Sequence, residues 1–165
     1  DTGQHAVRLA DPNEEGLCPP GEFERSVTFR PVDMREIPTE LSSFDFTWSS
    51  CAMEHLGSLQ AGVDFFENQL ACLRPGGIGV HTTEFNVDPH GPTLSDGHTV
   101  LYQRKQLEEL TARMRKQGHH MKTTFALGTT PEDLHVDIEP YTNVHIRTET
   151  YNIVHTSFGL VVRKG

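Results

Sequence analysis

Within Ser49-Ser-Cys-Ala-Met-Glu-His55 a thiol, a carboxylate and an imidazole sit together in one short run. Small residues at Ser49, Ser50 and Ala52 let backbone carbonyls approach a charged amine closely. Glu54 and His55 add groups that can bind or move protons, and His55 is the natural base because its unperturbed pKa is nearest neutrality. A second set follows in Thr82-Thr-Glu-Phe-Asn86. At a period of two, Thr82, Glu84 and Asn86 share a face, and a carboxylate beside an amide suits substrate recognition; on a loop the same Glu84 would be a solvated charge. Cys51 has no base or positive field placed beside it in the sequence, so it reads as a buried, inert thiol rather than a nucleophile.

These residues need elements to hold them. Phe44-Asp-Phe-Thr-Trp48 is a short apolar and aromatic run suited to a buried strand, with Ser49 to His55 as its polar exit. From Ser58, a plausible N-cap, Leu59, Val63, Phe66, Leu70 and Leu73 recur at steps of three or four and fall on one face of a helix. Arg74-Pro-Gly-Gly77 is expected to stop that helix, and Ile78 to Thr83 to start a second strand. The unit is βαβ, so its two strands should be parallel. Upstream, Ser26 to Val32 alternates weakly and reads as a strand ending at Asp33. Asp33 and Met34 would then either touch a ligand at a strand's carboxyl end or close a turn toward Pro38. The first 25 residues read as a connecting segment with a short helix near Glu22 to Arg25, and Gly3 in Asp-Thr-Gly is no phosphate cradle. Downstream come a loop from Asp88 to Thr99 that is either a lid or plain surface, a helix over about Arg104 to Gln117 capped by Gly118, and strands at 121–127 and 154–163. A β-rich run at Val144 to Ile153 is placed to pair with the last.

The pieces Val32-Asp-Met-Arg-Glu-Ile-Pro38, Phe44-Asp45, Glu54-His-Leu56 and Leu73-Arg-Pro-Gly-Gly77, in this order, resemble the second half of a class I S-adenosylmethionine-dependent methyltransferase. The resemblance covers roughly residues 26 to 126 and implies an open, mostly parallel, Rossmann-like α/β sheet with a distal antiparallel strand. It implies S-adenosylmethionine as cofactor and a small-molecule methyl acceptor. Asp33 would accept a hydrogen bond from the adenine amine, the Met34 backbone N–H would meet a ring nitrogen, and Ser49 and Ser50 would lie at the methyl-donor end. His55, Glu54 and Glu84 would form the acceptor side, with Thr83 and Asn86 as further substrate contacts. The family's first motif, a glycine-rich loop after the first strand, is absent, and two strands expected between 26–32 and 44–48 are missing. A single methyltransferase-like domain, 1–165, incomplete at its N-terminus, is therefore expected. It would be completed by a preceding segment or another chain, and inactive alone.

Composition narrows the partners. The chain has 165 residues, 35% of them hydrophobic, and a net charge of −9, with no basic cluster longer than Arg113 to Lys116. Nucleic acid wants a basic footprint and is disfavoured, as is a membrane, since no transmembrane run exists. Cys18, Cys51 and Cys72 form no CxxC pair, which fits reduced thiols in a cytoplasm. No metal ligands are assigned. His135-Val-Asp137 with His145 faintly resembles a two-histidine, one-carboxylate iron set, against the plainer reading of a polar insertion between two strands. A short-chain dehydrogenase is disfavoured because no GxGxxG occurs and Tyr102 stands three, not four, residues from Lys105. A catalytically silent module that binds a ligand or partner is the remaining alternative.

Overall fold

Two parallel strands joined through an amphipathic helix set the architecture, and the rest of the sheet is laid against the second of them. The computed structural model describes residues 6–141 and 146–165. The contacts divide the chain into two units, Asp1–Glu36 and Ile37–Gly165, each described here by itself.

In the first unit, helix α1 (Pro20–Ser26) begins with proline at its first position and buries Phe23. The strand expected over 26–32 does not form. Ser26 closes α1, and the following residues leave it with Val27 extended (φ −117°, ψ 132°) but join no ladder. An alternating sequence makes a strand only where a neighbour takes up its backbone N–H and C=O groups, and this unit supplies none.

The second unit contains β1 (Phe44–Ser49), α2 (Leu59–Asn68), β2 (Leu73–Asn86), α3 (Arg104–Lys116), β3 (His120–Met121), α4 (Pro131–Leu134), β4 (Val136–Asp137), β5 (Arg147–Thr150) and β6 (Ile153–Arg163). The sheet order is β1-β2-β6-β5-β4, with β3 also on β6. β1 pairs β2 in parallel, β4 pairs β5 in parallel, and β6 runs antiparallel to β2, β3 and β5. β6 is thus the single reversed strand among the described elements. The α/β fold class, an open sheet of mostly co-directional strands with an antiparallel one, is as the sequence implied.

Ser58 caps α2, accepting from the Ala61 N–H at 3.1 Å, and the helix buries Val63, Phe65 and Phe66. Each such side chain contributes about 1.5–3 kcal/mol by leaving water. The helix ends earlier than expected, at Asn68, and a 3-10 turn (Gln69–Cys72) leads straight into β2. Arg74-Pro-Gly-Gly77 lies inside β2, not before it. Phe44 pairs Leu73 and Phe46 pairs Ile78, so the Arg74 to Gly77 run bulges out opposite Asp45. Gly76 takes φ +79°, and a Cβ on Gly77 would press on the Phe44 and Asp45 carbonyl oxygens at 3.1 and 3.2 Å. Glycine is required at both for that reason. Helix α3 matches its expected span, with a Gln103/Gln106 capping box and Gly118 at φ +91° just past its end. Of the strand expected at 121–127, only Met121 pairs, with Val162, next to His120 on Arg163. β5 takes the same edge of β6 farther along. The segment after Met121 instead packs by side chains, Phe125 stacking on Phe158 at 5.1 Å. His145, one member of the faint iron set, lies outside the described residues; His135 is exposed and Asp137 buried.

Candidate active site

β1 and β2 point the same way, so their carboxyl ends, Ser49 and Asn86, open on one side of the sheet. Such ends are where open α/β sheets receive ligands. The chain leaves β1 through Cys51, which adopts the left-handed conformation (φ 43°) uncommon for a residue with a Cβ. Its N–H donates to Thr82 Oγ1 at 2.9 Å, and its Sγ lies 3.5 Å from Thr82 Oγ1 and 3.6 Å from Ser157 Oγ. The thiol is half-buried and faces two carboxylates, rather than being packed away as expected. Burial pushes its pKa up, against the lowering contacts of Thr82 and Ser157, and the charges of Glu54 and Glu84 push it up further. These surroundings work against an activated thiolate nucleophile.

A 3-10 turn, Met53–His55, then brings Glu54 inward, where it is 0% exposed. Thr83 Oγ1 donates to its Oε2 at 3.2 Å, while Oε1 has no hydrogen-bond partner. Burial raises the Glu54 pKa, and the nearby Glu84 charge adds to that. For Glu84 burial also acts upward, but the His155 hydrogen bond and charge outweigh it and hold the group below the usual carboxylate range. His155 Nδ1 donates to Glu84 Oε2 at 2.6 Å, and its Nε2 lies 3.0 Å from Thr150 Oγ1 and 3.2 Å from Thr148 Oγ1. Two neighbouring carboxylates are therefore pushed apart in acidity, an arrangement suited to different protonation states at one pH.

His55 Nδ1 lies 3.0 Å from the His98 carbonyl oxygen. A carbonyl only accepts, so Nδ1 carries the ring proton and neutral His55 keeps its lone pair on Nε2. The 88–99 loop holds this arrangement in place. Leu59 N–H donates to the Ser95 carbonyl, Gly97 N–H to Gly57 O, and Val100 N–H to Glu54 O, all at 3.0 Å. Residues 88–99 are exposed or half-buried, and the chain re-enters the core just beyond them at Val100, Leu101 and Tyr102, which are fully buried. Tyr102 Oη donates to Leu59 O at 3.1 Å and occupies the space over Gly62, where any Cβ would collide with it.

Other residues singled out in the sequence are placed differently. Ser49 Oγ is committed to His81 Nδ1 at 2.8 Å on the helix side of the sheet, leaving its backbone for a ligand; Ser50 is exposed. Thr83 and Asn86 are fully buried: Thr83 serves Glu54, and Asn86 Nδ2 donates to Pro92 O at 2.9 Å, anchoring the loop. In the first unit, Asp33 receives the Arg35 backbone N–H at 2.9 Å and pairs with its guanidinium at 2.7 Å. Those hydrogen bonds hold its carboxyl down at about 2. The turn it closes runs from the Asp33 carbonyl to the Glu36 N–H, and Met34 is half-buried within it. Sequence reasoning missed two buried histidines, His155 and His81. His81 lies at the core-facing parity of β2, which was a readable signal, whereas His155 shares the parity of exposed Ser157 and Val161 on β6 and gave none.

No protein-family model matches the chain, and no curated protein matches it. Among solved structures it is similar to a protein assigned as an S-adenosylmethionine-dependent methyltransferase from Listeria monocytogenes. There the identity is 13% and the TM-score 0.50, over 88% of this chain and 75% of that one. It is also similar to the [4+2]-cyclase SpnF, at 22% identity and TM-score 0.49 over 68% of this chain, but it spans only 37% of SpnF. The first likeness shows a methyltransferase-like, Rossmann-like fold. No helix among the described residues is long and apolar enough to cross a membrane.

Proposed function

We propose that the chain is the acceptor half of an S-adenosylmethionine-dependent methyltransferase acting on a small, uncharged or cationic molecule. The observation that carries this reading is the convergence of Glu54, Glu84 and Cys51 at the carboxyl ends of the parallel strands β1 and β2. The fold likeness and the four family motifs support it. The fit to the cofactor is partial. The exit of β1 offers the backbone of Ser49 and Ser50, whereas the glycine-rich loop is not in this sequence. We place that loop, with strands to cover β1's free edge, in a preceding segment or another chain.

When bound, the cofactor supplies an electrophilic methyl group. This chain's residues supply alignment, which carries most of the rate in an in-line displacement. Glu84, ionised through His155, attracts a cationic acceptor and repels an anionic one. His55 Nε2, lone pair free, takes a proton from a hydroxyl or a protonated amine if the acceptor carries one.

The test is a thermal shift with S-adenosylhomocysteine. Ligand at 100 times its dissociation constant stabilises by about 2.7 kcal/mol, so a clear rise in melting temperature is expected. In the complete protein, Asp33→Ala should weaken cofactor binding roughly ten- to a hundredfold with the fold intact. Stabilisation by a nicotinamide cofactor instead would favour the dehydrogenase alternative, and stabilisation by neither the silent module.

A further inference from the structure

We propose that Cys51, Glu54 and Glu84 form a binding site for a thiophilic divalent cation of the zinc type. One ligand atom from each, the Cys51 sulfur and a carboxylate oxygen of each glutamate, lie within 4.8 Å of one another. Around a tetrahedral zinc the same atoms would stand about 3.5 Å apart, so side-chain rotation alone closes the set. An acidic cluster is not a site by itself. Here, however, Glu54 is 0% exposed and its Oε1 lacks any hydrogen-bond partner. A cation held among the three donors would satisfy that oxygen.

The surroundings match what metal ligands receive. Each carboxylate has one oxygen fixed from outside, Glu54 Oε2 by Thr83 and Glu84 Oε2 by His155, whose ring is in turn held by Thr148 and Thr150. Cys51 is held in its left-handed conformation by the bond from its N–H to Thr82. A thiol is a poor partner for an ammonium group and a good one for zinc, so the donor set selects a soft or borderline metal over a substrate amine or magnesium. Three protein ligands leave a fourth position, which suits an oxygen ligand such as water or an acceptor hydroxyl. The site stands on its own donors, and only the last of these roles rests on the methyl-transfer reading.

Titrating the full chain with cobalt(II) tests this without any cofactor or acceptor. Thiolate-to-cobalt charge-transfer absorption in the near ultraviolet is expected, displaced by zinc. It should vanish in Cys51→Ser, weaken at least tenfold in apparent affinity in Glu54→Gln, and persist in Cys18→Ser. Zinc binding in weak buffer should release about one proton, because the coordinating thiol gives up its hydrogen. In the unaltered protein, zinc should also protect Cys51 from alkylation, read by peptide mass spectrometry, which keeps the test valid if a variant fails to fold. Absence of the absorption together with no protection of Cys51 overturns the proposal. So does a band that survives Cys51→Ser, or stabilisation by methylammonium but not by zinc, which would make this an amine pocket. Failure to bind S-adenosylhomocysteine would leave it standing.

Discussion

Both faces of the sheet carry large apolar residues, and these end in opposite states. On one face, His81 and Leu160, Thr83 and Phe158, and Gly79 and Val162 pair across β2 and β6 and are buried. On the other, Trp48 is 69% exposed and Phe46 52%, with Ile78 and Val161 alongside. Strands apolar on both sides are the pattern of a sheet meant to be covered twice, and among the described residues of the second unit only one side of β1, β2 and β6 is packed. The lesson is that the fold is set by the covered face, and that the two faces should answer mutation very differently.

The largest expected contrast follows directly. Phe66→Ala removes a fully buried ring and should cost about 3–5 kcal/mol. Phe46→Ala should stay within about 0.5 kcal/mol. Urea melts of the two variants measure both, and equal losses would mean that the Phe46 face is covered.

Next in size is an acid limb that belongs to the covered face. Burial depresses His81 to about 4, so between its ordinary value and that pH the unfolded chain binds a proton the folded one refuses. Stability is then full above about pH 6.5 and is lost as pH falls, by up to about 1.4 kcal/mol per unit. His81→Gln should flatten that limb in melts run from pH 7 to pH 4.5. An unchanged slope would assign the acid sensitivity to other groups.

A smaller effect of opposite sign is expected at the open end. Glu54's pKa is raised in the fold, so its ionisation weighs against folding at neutral pH and that burden lifts as pH falls. Glu54→Gln should stabilise the metal-free protein by about 1 kcal/mol at pH 8 and by less at pH 5, in thermal melts at the two pH values. Destabilisation instead would show that the carboxylate is already satisfied.

How much of this was legible depended on how local the cause was. The βαβ unit, the Ser58 cap and the Arg104–Lys116 helix were readable because period and capping are fixed within a few residues. The strand at 26–32 was misread because alternation cannot report whether a partner strand is present. Arg74 to Gly77 was read as the turn that stops the helix but is a bulge inside β2, since a bulge needs its opposing strand to be seen. At the candidate site, Glu54, His55 and Glu84 were singled out from residue type and the structure brings Glu54 and Glu84 together, whereas His155's grip on Glu84 spans a sequence separation of 71 and has no local signature. The rotation of Cys51 toward the carboxylates was equally hidden, because a positive φ in a non-glycine residue comes from tertiary restraint.

The central claim is that the carboxyl end of β1 and β2 meets the cofactor and acceptor, and backbone amide NMR of the labelled chain with added S-adenosylhomocysteine tests it most directly. Shifts concentrated in Ser49 to His55 are expected, with Gly118 to Met121, near the opposite end of the sheet, unmoved. Shifts confined to that opposite end, or none at millimolar ligand, would contradict the account.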